Sequence, residues 1–461
     1  MYEIFNKENQ CFDMNSVDRD YREKSVSYMS QYKSEIEKGK LQYAELELAK
    51  ERAAAIKFKV LNELDKYLIE FETNFVSRGG KVIWARDAEE AIREILNIAE
   101  RKQAKLIVKS KNNITEEINL NEQLIKAGLS VQETTAGEFI YQESKEASDH
   151  FVNPLIGKSR EEITSFFNQK FGLPLDASSS DLTLYIRNYL RDKFSKADIG
   201  ITGANFLVSN VGGVALTENE GNALMTVSMP RTHIVIAGIE KVIPSLKDLD
   251  LFWPLLATHG TGQKITAYNS VVLGPRQEGE IDGPDDMYVI LLDNGRTKLL
   301  EKVEQRRALS CIHCGACLNV CPVYKTIGGL AYQSTYSGPI GSVVTPHLKG
   351  LDGYNSMSYA SSLCGSCTEI CPVKINLHEL LLFNRNDAVV NHHSGYRERF
   401  LMLGWKTIMG NRKYLDFLSP KNKNWLVKKI FNKKWGQLRE LPIIKEKSFK
   451  QLWEERENPP K

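Results

Sequence analysis

The sequence predicts a mixed α/β domain with a largely parallel sheet, followed by a smaller helical module. Three observations carry this. Short apolar runs alternate with helical stretches through residues 75–300, the strand pattern is lost after about residue 300, and seven of the eight cysteines crowd into residues 311–371. At 461 residues the chain is too long for one ordinary core, so two or three domains are expected. With 42 % hydrophobic and 26 % charged residues it reads as globular, not as a disordered chain.

The first 72 residues form a helical segment. LQYAELELAKERAAAIKFKVLNELDKYLIEFE (41–72) has no Gly or Pro, and Leu61, Leu64, Leu68 and Phe71 recur at helical spacing. That spacing predicts a helix docked on the following domain. The start, MYEIFNKENQCFDMNS, has no basic segment leading into an apolar one, so no secretory leader is expected. No apolar run approaches the length of a spanning helix, and a cytoplasmic protein is expected.

Residues 73–300 are assigned to the α/β domain. KVIWA (81–85), LIVKS (106–110), LSVQET (129–134), HIVIAGI (233–239) and MYVILLD (287–293) read as buried strands. DAEEAIREILNIAERKQA (87–104), NLNEQLIKAG (119–128) and SLKDLDLFWPLLATHG (245–260) read as helices. The stretch 198–225 packs five glycines among apolar residues, which suits close backbone approach to a ligand. Glu218 and Glu220 lie two apart, on one face of a strand. They read either as an acidic pocket or as solvated strand-end carboxylates. The glycine-rich turn His259–Lys264 reads as an anion-binding loop or as a plain helix cap. No G-x-G-x-x-G follows a first strand, and no flavin site is recognisable, so a two-electron relay would come from a partner subunit.

Residues 301–390 carry the cysteines. Cys311-Ile-His-Cys314-Gly-Ala-Cys317-Leu-Asn-Val-Cys321-Pro322 is an unbroken C-x2-C-x2-C-x3-C-P run. Three thiolates on one tight loop suit three irons of a cubane, and the fourth, one helical turn on, points at a second cluster. A zinc site favours separated ligand pairs and fits less well. Cys364-Gly-Ser-Cys367-Thr-Glu-Ile-Cys371-Pro372 repeats the end of the run, with Ser361 where its first cysteine would stand. Crossed ligation then groups Cys311, Cys314, Cys317 and Cys371 on one [4Fe–4S] cluster, and Cys321, Cys364 and Cys367 on another. The second cluster lacks a fourth thiolate. It is either a [4Fe–4S] cluster with a serine, water or partner-supplied ligand, or a three-iron [3Fe–4S] cluster. His313, between two ligands, can donate to a cluster sulfur or simply face solvent. Clusters held by crossed ligands lie close together and suit stepwise electron transfer.

The segment 391–461 is a basic, aromatic tail. NWLVKKIFNKKWGQL (424–438) can form a basic amphipathic helix. Peripheral membrane contact and wrapping of a neighbouring domain or partner both stay open. No motif supports nucleic-acid binding.

CIHCGACLNVCPVY (311–324), SLCGSCTEICPVKI (362–375), YSGPIGSVVTP (336–346), GITGANFLVSNVGGVALTENEGN (200–222) and KSKNNITEEINLNEQLIKAG (109–128) resemble the lactate utilization protein B family, over roughly residues 40 to 440. The resemblance implies an N-terminal LUD domain, related in fold to the NagB/RpiA/CoA-transferase-like group, then a helical dicluster ferredoxin domain. It implies a seven-cysteine pattern, so that Ser361 is expected rather than a defect. It also implies oxidation of L-lactate to pyruvate with two other lactate-utilization subunits, electrons leaving to an acceptor protein or quinone. Two other readings stand beside it: an iron–sulfur subunit for another 2-hydroxy acid such as glycolate, and a LUD-domain transferase or isomerase whose clusters are structural.

Overall fold

A computed structural model describes residues 19–146, 154–393, 396–417, 419–431 and 441–457. Cys11 and the end of the basic stretch, 432–438, lie outside the described residues. Two compact units divide the chain near residue 387.

In the larger unit the apolar runs become strands, those at the centre of the large sheet buried on both faces and the first of them, at its edge, partly exposed. They are β1 (Lys81–Ala85), β2 (Leu106–Lys109), β3 (Ser130–Glu133), β4 (Ile199–Thr202), β5 (Phe206–Val208), β6 (Gly213–Glu218), β7 (Thr232–Gly238), β8 (Val242–Ile243), β9 (Tyr268–Val272) and β10 (Asp286–Leu292). Six of them form one sheet in the order β1-β10-β7-β4-β2-β3. Every pairing in it is parallel. Along β7, Ile234 and Ile236 face one core, with Ile95 and Ile98 of the helix Ala88–Arg101. Val235 and Ala237 face the other, with Phe71 and Phe75 of the helix Leu64–Ser77. That alternation is the period of two expected of a sheet covered on both sides.

The remaining strands form a second sheet, β8-β5-β6-β9, in which β6 runs antiparallel to both neighbours. Its short strands carry no long apolar run, and only β5–β6 falls within the glycine-rich stretch seen in sequence. The run 41–72 is two helices, Leu46–Asn62 and Leu64–Ser77, broken at Glu63 (φ −128°). No breaker residue marks that break. Leu64, Leu68 and Phe71 are buried against Leu207 and Val214, as a docking helix requires.

Beyond residue 300 the described residues of the unit are helices, 3-10 turns and loops, without strands. Their core is continuous with the α/β part. Leu318, Tyr324 and Val343 share one buried cluster with Phe206 of β5 and Phe252 of the helix Leu249–Thr261.

The smaller unit contains the helices Tyr396–Gly410, Arg412–Asp416, Pro420–Phe431 and Phe449–Glu457. Phe400, Trp405 and Trp425 are exposed on them. Among the described residues no helix is long and apolar enough to cross a membrane.

Candidate iron–sulfur centre and the cavity beside it

Both cysteine runs fold into the same local structure, fifty residues apart. The residue before the second position, His313 in one and Leu363 in the other, is left-handed at φ 57° and 55°. Gly315 and Gly365, one residue past it, are also left-handed at 78° and 84°. Glycine takes this conformation without strain, and the two non-glycines take it because the loop must turn its amides inward. A short helix follows in each, Ala316–Val320 and Ser366–Ile370. Cys321 and Cys371 then leave in extended conformation before Pro322 and Pro372.

The folds bring the thiols together in a crossed pattern. Cys311, Cys314, Cys317 and Cys371 line one small cavity. Burial pushes the Cys311 thiol up to about 12 and raises Cys314 and Cys317 too, and nearby Cys371 adds to each rise. Burial likewise raises Cys321, with Cys364 adding, and pushes Cys367 up to about 12, with Cys321 and Cys364 adding. Cys317 also feels Cys367, so the two thiol groups are neighbours. Cys364 differs: it is exposed, and the Ser366 hydroxyl, 3.5 Å away, lowers its thiol.

This donor set fits iron–sulfur clusters. Four thiols surround a void instead of converging on one point, and among the described residues no three His, Cys, Asp or Glu groups could hold a single metal ion. Backbone amides already aim at sulfur. His313 N–H donates to Cys311 Sγ at 3.3 Å, Tyr324 N–H to Cys321 Sγ at 3.5 Å and Ile375 N–H to Cys371 Sγ at 3.4 Å. Such donors favour thiolate and tune cluster potential. At the position matching Cys311, the Leu363 N–H donates to Ser361 Oγ at 3.1 Å, the same bond with oxygen in place of sulfur. Arg385 holds this segment by donating to the carbonyls of Ser358 (2.9 Å) and Ser361 (3.3 Å).

A buried charge network supports the first cysteine loop. The Arg296 guanidinium grips Glu117 at 2.9 and 2.7 Å and Glu240 at 2.7 Å. Tyr336 donates to Glu117 Oε2 at 2.6 Å, and its ring lies 5.7 Å from that of His313. Lys57 donates to the Glu240 carbonyl at 2.5 Å, and burial lowers its ammonium to about 8. Burial also holds the His313 ring well below its ordinary range, with Lys241 next in effect.

A cavity of about 350 Å³ opens at the carboxyl ends of β2, β4 and β7, with His313, Cys314 and Tyr336 forming its opposite wall. Glu218 and Glu220 both line it. Glu218 serves as a cap, accepting from the amides of Ala223 (2.7 Å) and Leu224 (2.8 Å). Glu220 is solvent-accessible on the cavity rim and accepts from the Ala136 amide at 2.9 Å. Protein packed around its carboxyl nonetheless raises it, and Glu218 adds to the rise. The glycine-rich turn after His259 is a helix C-cap: Thr261 ends the helix, Gly262 is left-handed, and its N–H donates to the Thr258 carbonyl. A helix C-terminus carries negative partial charge and repels anions, so of the two readings of this turn the plain helix cap is the one the structure shows. His259 itself is buried, with Nδ1 2.9 Å from the Leu255 carbonyl.

Residues 68–292 match the LUD domain and residues 307–375 the 4Fe-4S dicluster domain. Proteins described as lactate utilization protein B from Bacillus thuringiensis (strain Al Hakam), Bacillus cereus (strain AH187) and Bacillus anthracis (strain A0248) are each 40 % identical over 417 residues, covering 88 % of this chain and 88 % of their own. The chain belongs to the lactate utilization protein B family. Its fold is accordingly a LUD domain followed by an iron–sulfur-binding dicluster domain, as the sequence predicts. A DUF162-family protein from Deinococcus radiodurans, 13 % identical, aligns with 50 % of this chain and 98 % of its own at a TM-score of 0.29, too slight a likeness to carry a fold argument.

Sequence reading identified the seven cysteines and their crossed grouping. It did not single out Lys241, Arg296 or Tyr336, which are unremarkable in the linear pattern. The left-handed turns had one available signal, the fifty-residue offset that aligns His313 with Leu363 and Cys311 with Ser361.

Proposed function

We propose that the chain is the iron–sulfur electron-transfer component of a multi-protein system that oxidises L-lactate to pyruvate. The observation that carries this is the interleaving of the thiols, with Cys317 beside Cys367 and Cys364 at the surface. In this reading Cys311, Cys314, Cys317 and Cys371 hold one [4Fe–4S] cluster. Cys321, Cys364, Cys367 and the Ser361 hydroxyl hold a second. Bound clusters supply one-electron steps. The protein's own residues keep the first site dry, orient its amides toward sulfur and leave the second accessible for electron exit. The names of the 40 % identical relatives supply the substrate. Two other lactate-utilization subunits, one supplying the two-electron relay, and an acceptor protein or quinone complete the system, on the cytoplasmic side.

Anaerobically purified protein tests the cofactor reading. Two cubanes predict about eight irons per chain and two interacting spin systems on reduction. A single isolated spin system would refute it. For the pathway, a deletion strain should lose growth on L-lactate and regain it with the intact gene but not with the Cys314→Ser variant. Growth on L-lactate that survives deletion, in a strain with no second lactate oxidase, would overturn the substrate assignment.

A further inference from the structure

We infer that the cavity between the LUD-domain strand ends and the first cysteine loop binds a small 2-hydroxy or 2-oxo carboxylate, with Lys241 taking the carboxylate and His313 the neighbouring oxygen. The inference rests on the lactate reading above and locates its substrate class in this chain.

The cavity, about 350 Å³, falls within the ~300–1,000 Å³ of small-molecule sites. It lies outside the carboxyl ends of parallel strands, where open α/β sheets place ligands. Most polar groups of its wall are already satisfied. Asn112 Oδ1 accepts from the Ile114 amide at 3.1 Å and Nδ2 donates to the Ile236 carbonyl at 3.2 Å. Glu218 caps a helix, and Lys111 pairs with Glu138 at 2.5 Å. Of the lysine and histidine side chains that line it, two are left over. Among the described residues neither the Lys241 ammonium nor the His313 ring has a hydrogen-bond or ion-pair partner. A half-buried lysine on a cavity wall, with no hydrogen-bonded or ion-paired acid, offers its ammonium to an anion.

The anion must be small and singly charged. The C-terminal end of the helix Leu249–Thr261 reaches the cavity through Gly260 and Thr261, and its negative partial charge opposes a phosphate group. The nearest helix start, Asn222, already has its amides capped by the Glu218 carboxylate. One free ammonium beside one imidazole matches a carboxylate with an oxygen on the next carbon. His313 is followed directly by Cys314, so a ligand held there rests against the first cluster loop.

The test uses the full-length, cluster-loaded chain under anaerobic conditions. L-lactate and pyruvate are titrated, with neutral lactamide and inorganic phosphate as comparisons, following heat of binding and the EPR line shape of the reduced clusters. Saturable one-to-one binding of lactate or pyruvate that perturbs one spin system is expected, with lactamide and phosphate at least tenfold weaker. K241M should weaken the acids at least tenfold, and K241R should restore part of the loss. Should K241M fail to load its clusters, the lactate-to-lactamide ratio on the unmodified protein decides alone. Equal affinity for lactate and lactamide would overturn the site, as would no saturation at ~10 mM, well above the usual ~1 mM KM ceiling. Either result with both clusters intact leaves the electron-transfer reading standing; missing clusters would sink that reading instead.

Discussion

Replacing Arg296 with Met should destabilise the larger unit severely, and in a pH-dependent way. Arg296 is 2 % exposed at its side chain, and the two carboxylates it grips are 1 % (Glu117) and 5 % (Glu240) exposed. Methionine keeps most of the aliphatic volume but removes the cation bonded to both. Breaking a buried pair from one side costs ~3–5 kcal/mol. Glu117 retains donors at 2.6 Å from Tyr336 and from Asn294, which offsets part of this. Against a typical total of ~5–15 kcal/mol the loss is large. In the native protein burial opposes the charge on Glu117, but Arg296, joined by the Tyr336 and Asn294 hydrogen bonds, outweighs it and holds the carboxyl below the usual range. A depressed carboxyl contributes stability above its unfolded value of about 4.3, lost only as pH falls through the lower folded value. Without Arg296 burial acts unopposed by that cation, and the Glu117 carboxyl is raised. The variant's folded state then takes up protons first, so it gains stability as pH falls from 7 toward 5. Urea unfolding of cluster-loaded protein, followed by circular dichroism at pH 7 and about pH 5.5, should show a gap that narrows at the lower pH. The triple variant R296M/E117Q/E240Q should recover most of the loss. A gap below ~1 kcal/mol, the scale of an exposed pair, or one that widens at lower pH, would refute the reasoning.

Ser361→Ala should reduce the iron count from about eight toward seven and bring up a three-iron EPR signal on oxidation, while S361C should keep the full count; an S361A spectrum identical to the parent would exclude the hydroxyl as a ligand. At Gly341 an added Cβ would lie 2.1 Å from the Tyr336 carbonyl oxygen, so G341A should lower the melting temperature and loosen the Tyr336–Glu117 contact; an unchanged melting curve would count against that packing. His233 is fully buried, with Nε2 2.8 Å from Thr202 Oγ1, and burial depresses its ring to about 3. The unfolded chain therefore takes up the proton first as pH falls below about 6.5, and stability should decline between there and about pH 3. His233→Gln should flatten that part of the stability–pH curve, and an unaltered slope would show that other groups dominate.

Most strands of the parallel sheet were legible in sequence because a strand covered on both faces is apolar along most of its length, whereas β4 lay hidden in the glycine-rich stretch. HIVIAGI and MYVILLD needed no tertiary information to be found. The cysteine grouping was legible for a chemical reason: spacing along one loop limits which thiolates can reach one cubane, and the fourth must point elsewhere. Ser361 was visible as the odd position for the same reason.

Other features depend on partners distant in sequence, and no local pattern announces them. Glu218, readable either as part of an acidic pocket or as a solvated carboxylate, lines the cavity and is also a helix cap, because the chain turns at Gly221 and brings the Ala223 and Leu224 amides back to it. The break at Glu63 has no local breaker, and the second sheet is assembled from strands as short as two residues. Nothing in the linear pattern marks Arg296. It is buried because Glu117, Glu240 and Tyr336, from three separate segments, converge on it. Lys241 and His313 are separated by 72 residues, and only folding sets them on one cavity beside Cys314. Ligand spacing is a short-range property of the chain, and sequence alone determined it. Which charges are buried, and which are left without partners, is a long-range property that the tertiary structure decided.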